Sequence, residues 1–205
     1  MTESVSAADN AATMLSAARD GDLALVRRLL AQGVAPDVRD SRGRTALLLA
    51  THANRIEVAR ALIDAGADVN ARDDIEDSPY LYAGAEGRLE ILRMTLAAGA
   101  DLRSVNRYGG TALIPACHHG HPETVRELLK TAIDVDHVNR LGWTALLEAV
   151  ILGDGGARYR DIVGQLIAAR ANVNLADREG RTPLWHARSR GQAEIAGMLM
   201  AAGAR

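Results

Sequence analysis

One spacing constrains this chain more than anything else in it. Thr45, Ser78, Thr111 and Thr144 stand 33 residues apart, and Thr182 follows after 38, the same interval with five residues added. Ala50, Ala83, Ala116, Ala149 and Ala187 keep that register. So do Leu62, Leu128, Leu166 and Leu199, with Thr95 the exception in their column. Asp68-Val69-Asn70 recurs as Asp101-Leu102-Arg103, Asp134-Val135-Asp136 and Asn172-Val173-Asn174, and Leu29-Leu30 with Gly33 carries the pattern one unit towards the N-terminus. A period of this length means one small supersecondary unit copied along the chain. Such a unit cannot bury its apolar face alone, so the copies must stack and share a core.

Each copy reads as two short helices and a turn. A Thr or Ser precedes an apolar run, as in Thr45-Ala46-Leu47-Leu48-Leu49-Ala50, and its hydroxyl is placed to cap the first helix. Pro183 after Thr182 suits a first helical position. Gly21, Gly87, Gly120, Gly153 and Gly191, with Asn54 in the same column, are expected to end the first helix in a left-handed conformation. Glu57, Glu90, Glu123, Asp161 and Glu194 open the second helix, where a negative charge meets the positive end of the helix dipole. The second helix ends at Gly33, Gly66, Gly99 and Gly203. The Asp-Val-Asn stretch and the turns at Gly43, Gly109, Gly142 and Gly180 then form an extended finger to the next unit.

Asp40-Ser-Arg-Gly-Arg-Thr-Ala-Leu47 through Gly66-Ala-Asp-Val-Asn70 is the clearest copy, and it resembles the ankyrin repeat. The resemblance runs over nearly the whole chain and is to compact bacterial proteins made of such repeats alone. It implies an all-α fold, an ankyrin-repeat solenoid of about six stacked helix-turn-helix units with β-turn fingers. The units are read as 12–40, 41–73, 74–106, 107–139, 140–177 with the five-residue insertion at 154–158, and 178–205; residues 1–11 are read as a disordered leader.

Composition excludes several classes. With 48% hydrophobic and 24% charged residues the chain has the means to fold. A net charge of -2 gives no global basic field for nucleic acid or an anionic membrane. The single Cys117 makes no internal disulfide. Met1–Asn10 has neither a cationic start nor an apolar core of the signal-peptide kind, and the apolar run Ile195–Ala204 is too short to span a bilayer. The expectation is a cytoplasmic monomer that needs no cofactor and binds neither nucleic acid nor membrane.

Departures from the pattern are where function shows, because the scaffold does not require them. Ala132 and Arg170 replace the glycine that ends the second helix, which points to locally altered turns. Glu76 replaces the finger glycine within the acidic run Asp73–Asp77, read as a solvated loop. Asp154–Arg158 is read as a lengthened loop that the fold tolerates, since lengthening a loop costs little entropy. Glu148 stands in the column of Leu49, a buried position, so it needs a partner, and His186 or Tyr82 is the expected one.

Cys117 and the histidines beside it admit two chemical readings. Cys117, His118, His119 and His121 have zinc-compatible side chains, or a thiol beside a base. Adjacent histidines at a helix end point apart, however, and the Cys117 column holds small packing residues, so the expectation is no metal and no catalytic residue. Arg178, Arg181, Arg188, Arg190 and Arg205 make the last unit basic and give a nucleic-acid alternative. The favoured reading is a non-catalytic scaffold for another protein. Its site is Tyr108, Leu141 and Trp143, large and apolar where other fingers carry charge, with Arg107 and Arg140 beside them. His118, His119, Ile151 and Leu152 end the first helices of the same two units and form the inner edge. Tyr, Trp and Arg are the residue types enriched in binding hot spots.

Overall fold

A computed structural model describes residues 7–205. Among them are twelve helices and no strand beyond one isolated bridge, Arg39 to Thr45. They come as six pairs: α1 Ala7–Asp20 with α2 Leu23–Ala31, α3 Ala46–His52 with α4 Ile56–Asp64, and α5 Pro79–Ala85 with α6 Leu89–Ala97. Then follow α7 Leu113–His118 with α8 Pro122–Leu128, α9 Ala145–Leu152 with α10 Ala157–Ala168, and α11 Pro183–Ser189 with α12 Ala193–Ala201. Of the expected leader, residues 7–11 are the first turns of α1, and residues 1–6 lie outside the described part.

The chain divides into two units, one of residues up to Ala83 with Arg88–Asp101, the other of Gly84–Gly87 with Leu102–Arg205. In the first unit α1 packs on α3, and α4 packs between α2 and α6. Met14, Val26, Leu47, Leu62, Tyr80 and Leu92 are fully or almost fully buried there. The Tyr80 hydroxyl is buried without a hydrogen-bond partner. In the second unit α9 packs between α7 and α11, and α10 between α8 and α12. Its core is built mainly from aliphatic side chains, among them Leu113, Leu128, Leu147, Ile162, Leu166 and Leu199. Within each unit first helices pack on first helices and second on second, so the register of the Leu and Ala columns is a register of packing.

The caps follow the sequence with one exception. The hydroxyls of Thr45, Ser78, Thr144 and Thr182 accept from the backbone N–H three residues on. Thr111 does not cap. Ala112 already has helical dihedrals before α7, and the Thr111 hydroxyl is buried with no partner.

The turn columns hold two corrections. Gly21, Gly87, Gly120, Gly191 and Asn54 are left-handed as expected, but Gly153 is extended, with φ -73° and ψ 155°. Its lack of a side chain serves packing: a Cβ there would lie 2.2 Å from the Ala149 carbonyl oxygen and 2.6 Å from the Tyr159 ring. The left-handed turn moves to Gly155, inside the insertion. The insertion is also more than loop. Ala157 and Arg158 form the first turn of α10, and Tyr159 behind them is buried and donates to the His118 carbonyl at 2.8 Å.

Arg170 adopts the left-handed conformation itself, at φ 64°, and so does Glu76 at 66°. Ala132 does not. Here α8 stops at Leu128, and Thr131 closes the turn, its hydroxyl donating to the Leu128 carbonyl and accepting from the Ile133 N–H.

Every finger is held by one residue that opens it. Asp40, Asp73, Asn106, Asn139 and Asp177 each accept two backbone N–H groups on one side-chain oxygen, from residues two and four further on. Such side-chain turns fix the finger without any sheet. They also account for Asp73, which is buried in its turn rather than solvated with the rest of the acidic run.

Candidate functional site

All nine expected partner-binding residues belong to the second unit, and the structure sorts them into two clusters. The first is on the fingers. Tyr108 and Leu141 occupy the same position on successive finger tips and are 55% and 51% exposed. The Arg107 guanidinium lies 4.9 Å from the centre of the Tyr108 ring, a cation–π arrangement. The two fingers are joined. The Arg140 backbone N–H donates to the Tyr108 carbonyl at 2.9 Å, and its guanidinium donates to the Arg107 carbonyl at 2.7 Å.

Gly109 makes that crossing possible. It is left-handed at φ 74°, and a Cβ on it would stand 2.8 Å from Arg140 Cγ. Arg140 is therefore a link between fingers as well as an exposed cation. Trp143 is only partly exposed. Its backbone N–H and carbonyl both bond to Asn139, which sets it within the base of its finger rather than at the tip.

The second cluster is at the helix ends. His118 and His119 close α7, with ring centroids 4.7 Å apart. His119 Nδ1 lies 2.7 Å from the Ala85 carbonyl oxygen and 3.6 Å from Glu86. His118 Nδ1 lies 3.5 Å from Glu148 Oε2. Leu152 is 40% exposed, and Ile151 is half-buried. Trp143 precedes α9 and Ile151 lies in its last turn, eight residues on, which at the helical rise is about 12 Å. A partner that touches both clusters must therefore lie along the length of the first helices.

Glu148 sits between the clusters and is buried. Its partner is neither His186 nor Tyr82. Asn139 Nδ2, nine residues upstream, donates to Oε1 at 3.0 Å, and Oε2 has no hydrogen-bond partner. Burial pushes this carboxyl up to about 7, against the opposing pull of the Asn139 bond. Burial, with His119 nearby, also lowers His118, so both groups favour their neutral forms. His186 has its own partner, Asp177 Oδ2 at 2.7 Å, again nine residues away. Burial would raise Asp177, but the Arg181 N–H, His186 and the Glu179 N–H outweigh it and hold this carboxyl low. The finger-opening residue thus uses one polar atom on the turn and the other on the fourth residue of its helix. Asn139 donates and meets Glu148; Asp177 accepts and meets His186.

Cys117 is fully buried, and its surroundings push the thiol well above the ordinary range, first by desolvation and then by Glu148. A thiol held protonated and out of reach is a poor nucleophile. Among the described residues no group of three or more His, Cys, Asp or Glu side chains is placed to hold a metal ion. Arg178, Arg181, Arg188, Arg190 and Arg205 are all exposed, and Arg181 lies 4.7 Å from the Trp185 ring centre. Among the described residues no helix is long and apolar enough to cross a membrane.

The comparisons agree with the architecture. A family model described as "Ankyrin repeats (3 copies)" matches residues 4–73 and 80–177. An ankyrin repeat domain from Acinetobacter baumannii AYE is 59% identical, superposes with a TM-score of 0.91, and the match covers 94% of this chain and 98% of that one. The ankyrin repeat protein EF0377 is 44% identical with a TM-score of 0.88, over 92% of this chain and 96% of that one. The ankyrin repeat protein YahD of Escherichia coli (strain K12) is 49% identical over 57 residues, a match that spans only 28% of each protein. Arrays of such repeats generally serve to bind other proteins on extended surfaces, and they are not typically enzymes. The chain belongs to the ankyrin-repeat family.

Proposed function

We propose that this chain is a non-catalytic scaffold that binds another protein on its second unit, through the fingers of Arg107–Tyr108 and Arg140–Trp143 and the helix ends at His118, His119, Ile151 and Leu152. The observation that carries this reading is the pair Tyr108 and Leu141. Two large apolar side chains stand more than half exposed at successive finger tips whose backbones are fixed by Asn106 and Asn139. Nothing in the packing of the repeat calls for them there, and exposed apolar groups of this kind mark interaction surfaces. Mechanism is pre-organisation. The fingers are held by side-chain turns and by the Arg140 link, so docking orders little that is not already ordered.

The test is affinity capture from the native source with quantitative mass spectrometry, comparing the wild type with Trp143→Ala and with the double variant Tyr108→Ala/Leu141→Ala. Truncating a hot-spot Trp costs about 2 kcal/mol or more, roughly thirtyfold in affinity, so partner recovery should collapse. Trp143 is partly packed, so the double variant, at exposed tips, decides the matter if Trp143→Ala unfolds. A folded double variant that keeps its full set of partners would overturn the proposal.

A further inference from the structure

The outer side of α11 and α12 breaks a packing column. Ile114 and Leu147 hold the same place in their repeats as Trp185. They are 4% and 0% exposed, whereas Trp185 is 48% exposed. The neighbours explain the difference: α7 packs on α9 and α9 on α11, whereas α11 and α12 are packed against α9 and α10 on one side. Met200 likewise stands exposed in a column where Leu129 and Ile167 are half-buried. A polar outer side is what ends a stack of repeats in water. A Trp and a Met of this exposure are not polar, and large apolar groups left exposed together mark an interaction surface.

Two arginines lie in the patch. The Arg181 guanidinium stands 4.7 Å from the centre of the Trp185 ring. Arg188, one turn after Trp185 on the same face of α11, reaches α12, where its Nη2 is 3.1 Å from Met200 Sδ. These contacts hold both guanidinium groups over apolar surface and leave their charge in place. Among the described residues neither is ion-paired, and Glu194 of α12 pairs with Arg160. Arg188 occupies a column that elsewhere holds Thr51, Gly84, Cys117 and Val150, all buried. Another copy of the same repeat stacked here would bury that charge without a counter-ion, at a cost of several kcal/mol on the order of a broken buried ion pair. Whatever covers Trp185 has to bring carboxylates.

We infer that the outer side of α11 and α12 is a second protein-binding surface, independent of the fingers, and that it takes an amphipathic helix with an apolar residue on Trp185 and Met200 and carboxylates on Arg181 and Arg188. A helix is the fitting shape, because helices α9 and α11 follow the faces of Ile114 and Leu147 in the two preceding copies. Arg181 lies before Trp185 in the chain and Arg188 after it. Acids one turn to either side of the partner's apolar residue lie on one helix face and meet both guanidinium groups. A second copy presenting this same surface would set arginines against arginines. A nucleic acid is disfavoured, because Arg181 already covers a face of the Trp185 ring and the chain as a whole carries a net charge of -2.

The chain has two Trp residues, so two indole N–H signals in a proton–nitrogen spectrum report the two surfaces separately, Trp143 for the fingers and Trp185 for this one. The probes are a labelled helical peptide with Leu flanked by Glu one turn to either side, the same composition with its Glu residues on the opposite face, a Lys version, and a single-stranded DNA oligonucleotide. The one-faced acidic peptide should shift the Trp185 signal and leave that of Trp143 in place. By fluorescence anisotropy it should bind more weakly as salt is raised, and roughly tenfold or more weakly to Trp185→Ala and to Arg188→Glu. The double variant Arg181→Glu/Arg188→Glu should prefer the Lys peptide. These positions are exposed, and melting curves check that the variants fold; Arg188→Glu decides if Trp185→Ala does not. Tyr108→Ala/Leu141→Ala should bind the peptide as the wild type does, and a loss there with none in Trp185→Ala would put the peptide on the fingers and overturn the inference. Equal binding of the opposite-face or Lys peptide, tighter binding of the DNA, indifference of the folded Trp185→Ala and Arg188→Glu variants, or self-association that Trp185→Ala abolishes overturns it as well.

Discussion

Replacing Glu148 with Gln should make the protein more stable at alkaline pH and leave it unchanged in acid. The carboxyl has an ordinary value of 4.5 and is raised to about 7 in the folded chain, chiefly by burial. Its side chain is 6% exposed, so solvent screens little of this. Below pH 4.5 the folded and unfolded states both hold the proton, and nothing is lost. Between 4.5 and 7 the unfolded chain releases it while the folded chain keeps it, so the folded state binds more protons and stability falls as pH rises. Above 7 the loss is complete, about 3 kcal/mol at 1.36 kcal/mol per unit. Gln keeps a carbonyl oxygen for Asn139 Nδ2 and carries no charge to bury. Urea unfolding followed by circular dichroism from pH 4 to 9 on both proteins isolates the residue, because the other acids cancel in the difference. The difference should be near zero at pH 4, grow through 4.5–7, and level off at up to about 3 kcal/mol in favour of the variant. A flat difference, or a variant less stable than wild type at pH 8, would refute the reasoning and mean that the charged carboxylate is well solvated or paired.

Two further substitutions follow from the packing. Tyr80→Phe removes a buried hydroxyl that has no partner and should stabilise the chain by about 1 kcal/mol, read as a rise in melting temperature; a loss of stability would mean the hydroxyl is satisfied. Arg170→Gly relieves a left-handed non-glycine residue and should also gain about 1 kcal/mol in urea unfolding, since no other repeat end in the structure shows a non-glycine there with φ as high.

The fold was legible because its determinants are local and repeated. A Thr before an apolar run, a Gly after it and a Leu at a fixed offset each act within one helix pair, and the period multiplies the signal. What the period hid was anything that varies within a column. Glu148 reads as a carboxylate in a buried column, with His186 or Tyr82 of other repeats as its expected partner. The hydrogen-bond partners of Glu148 and His186 lie nine residues upstream, at Asn139 and Asp177, and those columns hold Asn or Asp in every finger. Gly153 sits in the turn column, yet the insertion moves the turn to Gly155 and leaves Gly153 to make room for Tyr159. Of the candidate site, the exposed tips Tyr108 and Leu141 were readable as size and polarity out of place. The dual character of Arg140, and the partial packing of Trp143, depend on bonds to another finger or to the finger base that no single column displays.

The couples Asn139–Glu148 and Asp177–His186 each lie inside one period when the repeat is counted from the residue that opens its finger. A single-codon change at either member strands its mate in a buried place, whereas duplication or recombination at repeat borders transfers both together. The column therefore presents a steep barrier to point substitution and almost none to block exchange. An array of this kind is expected to change its buried polar identities in whole-repeat steps while its finger tips drift one residue at a time.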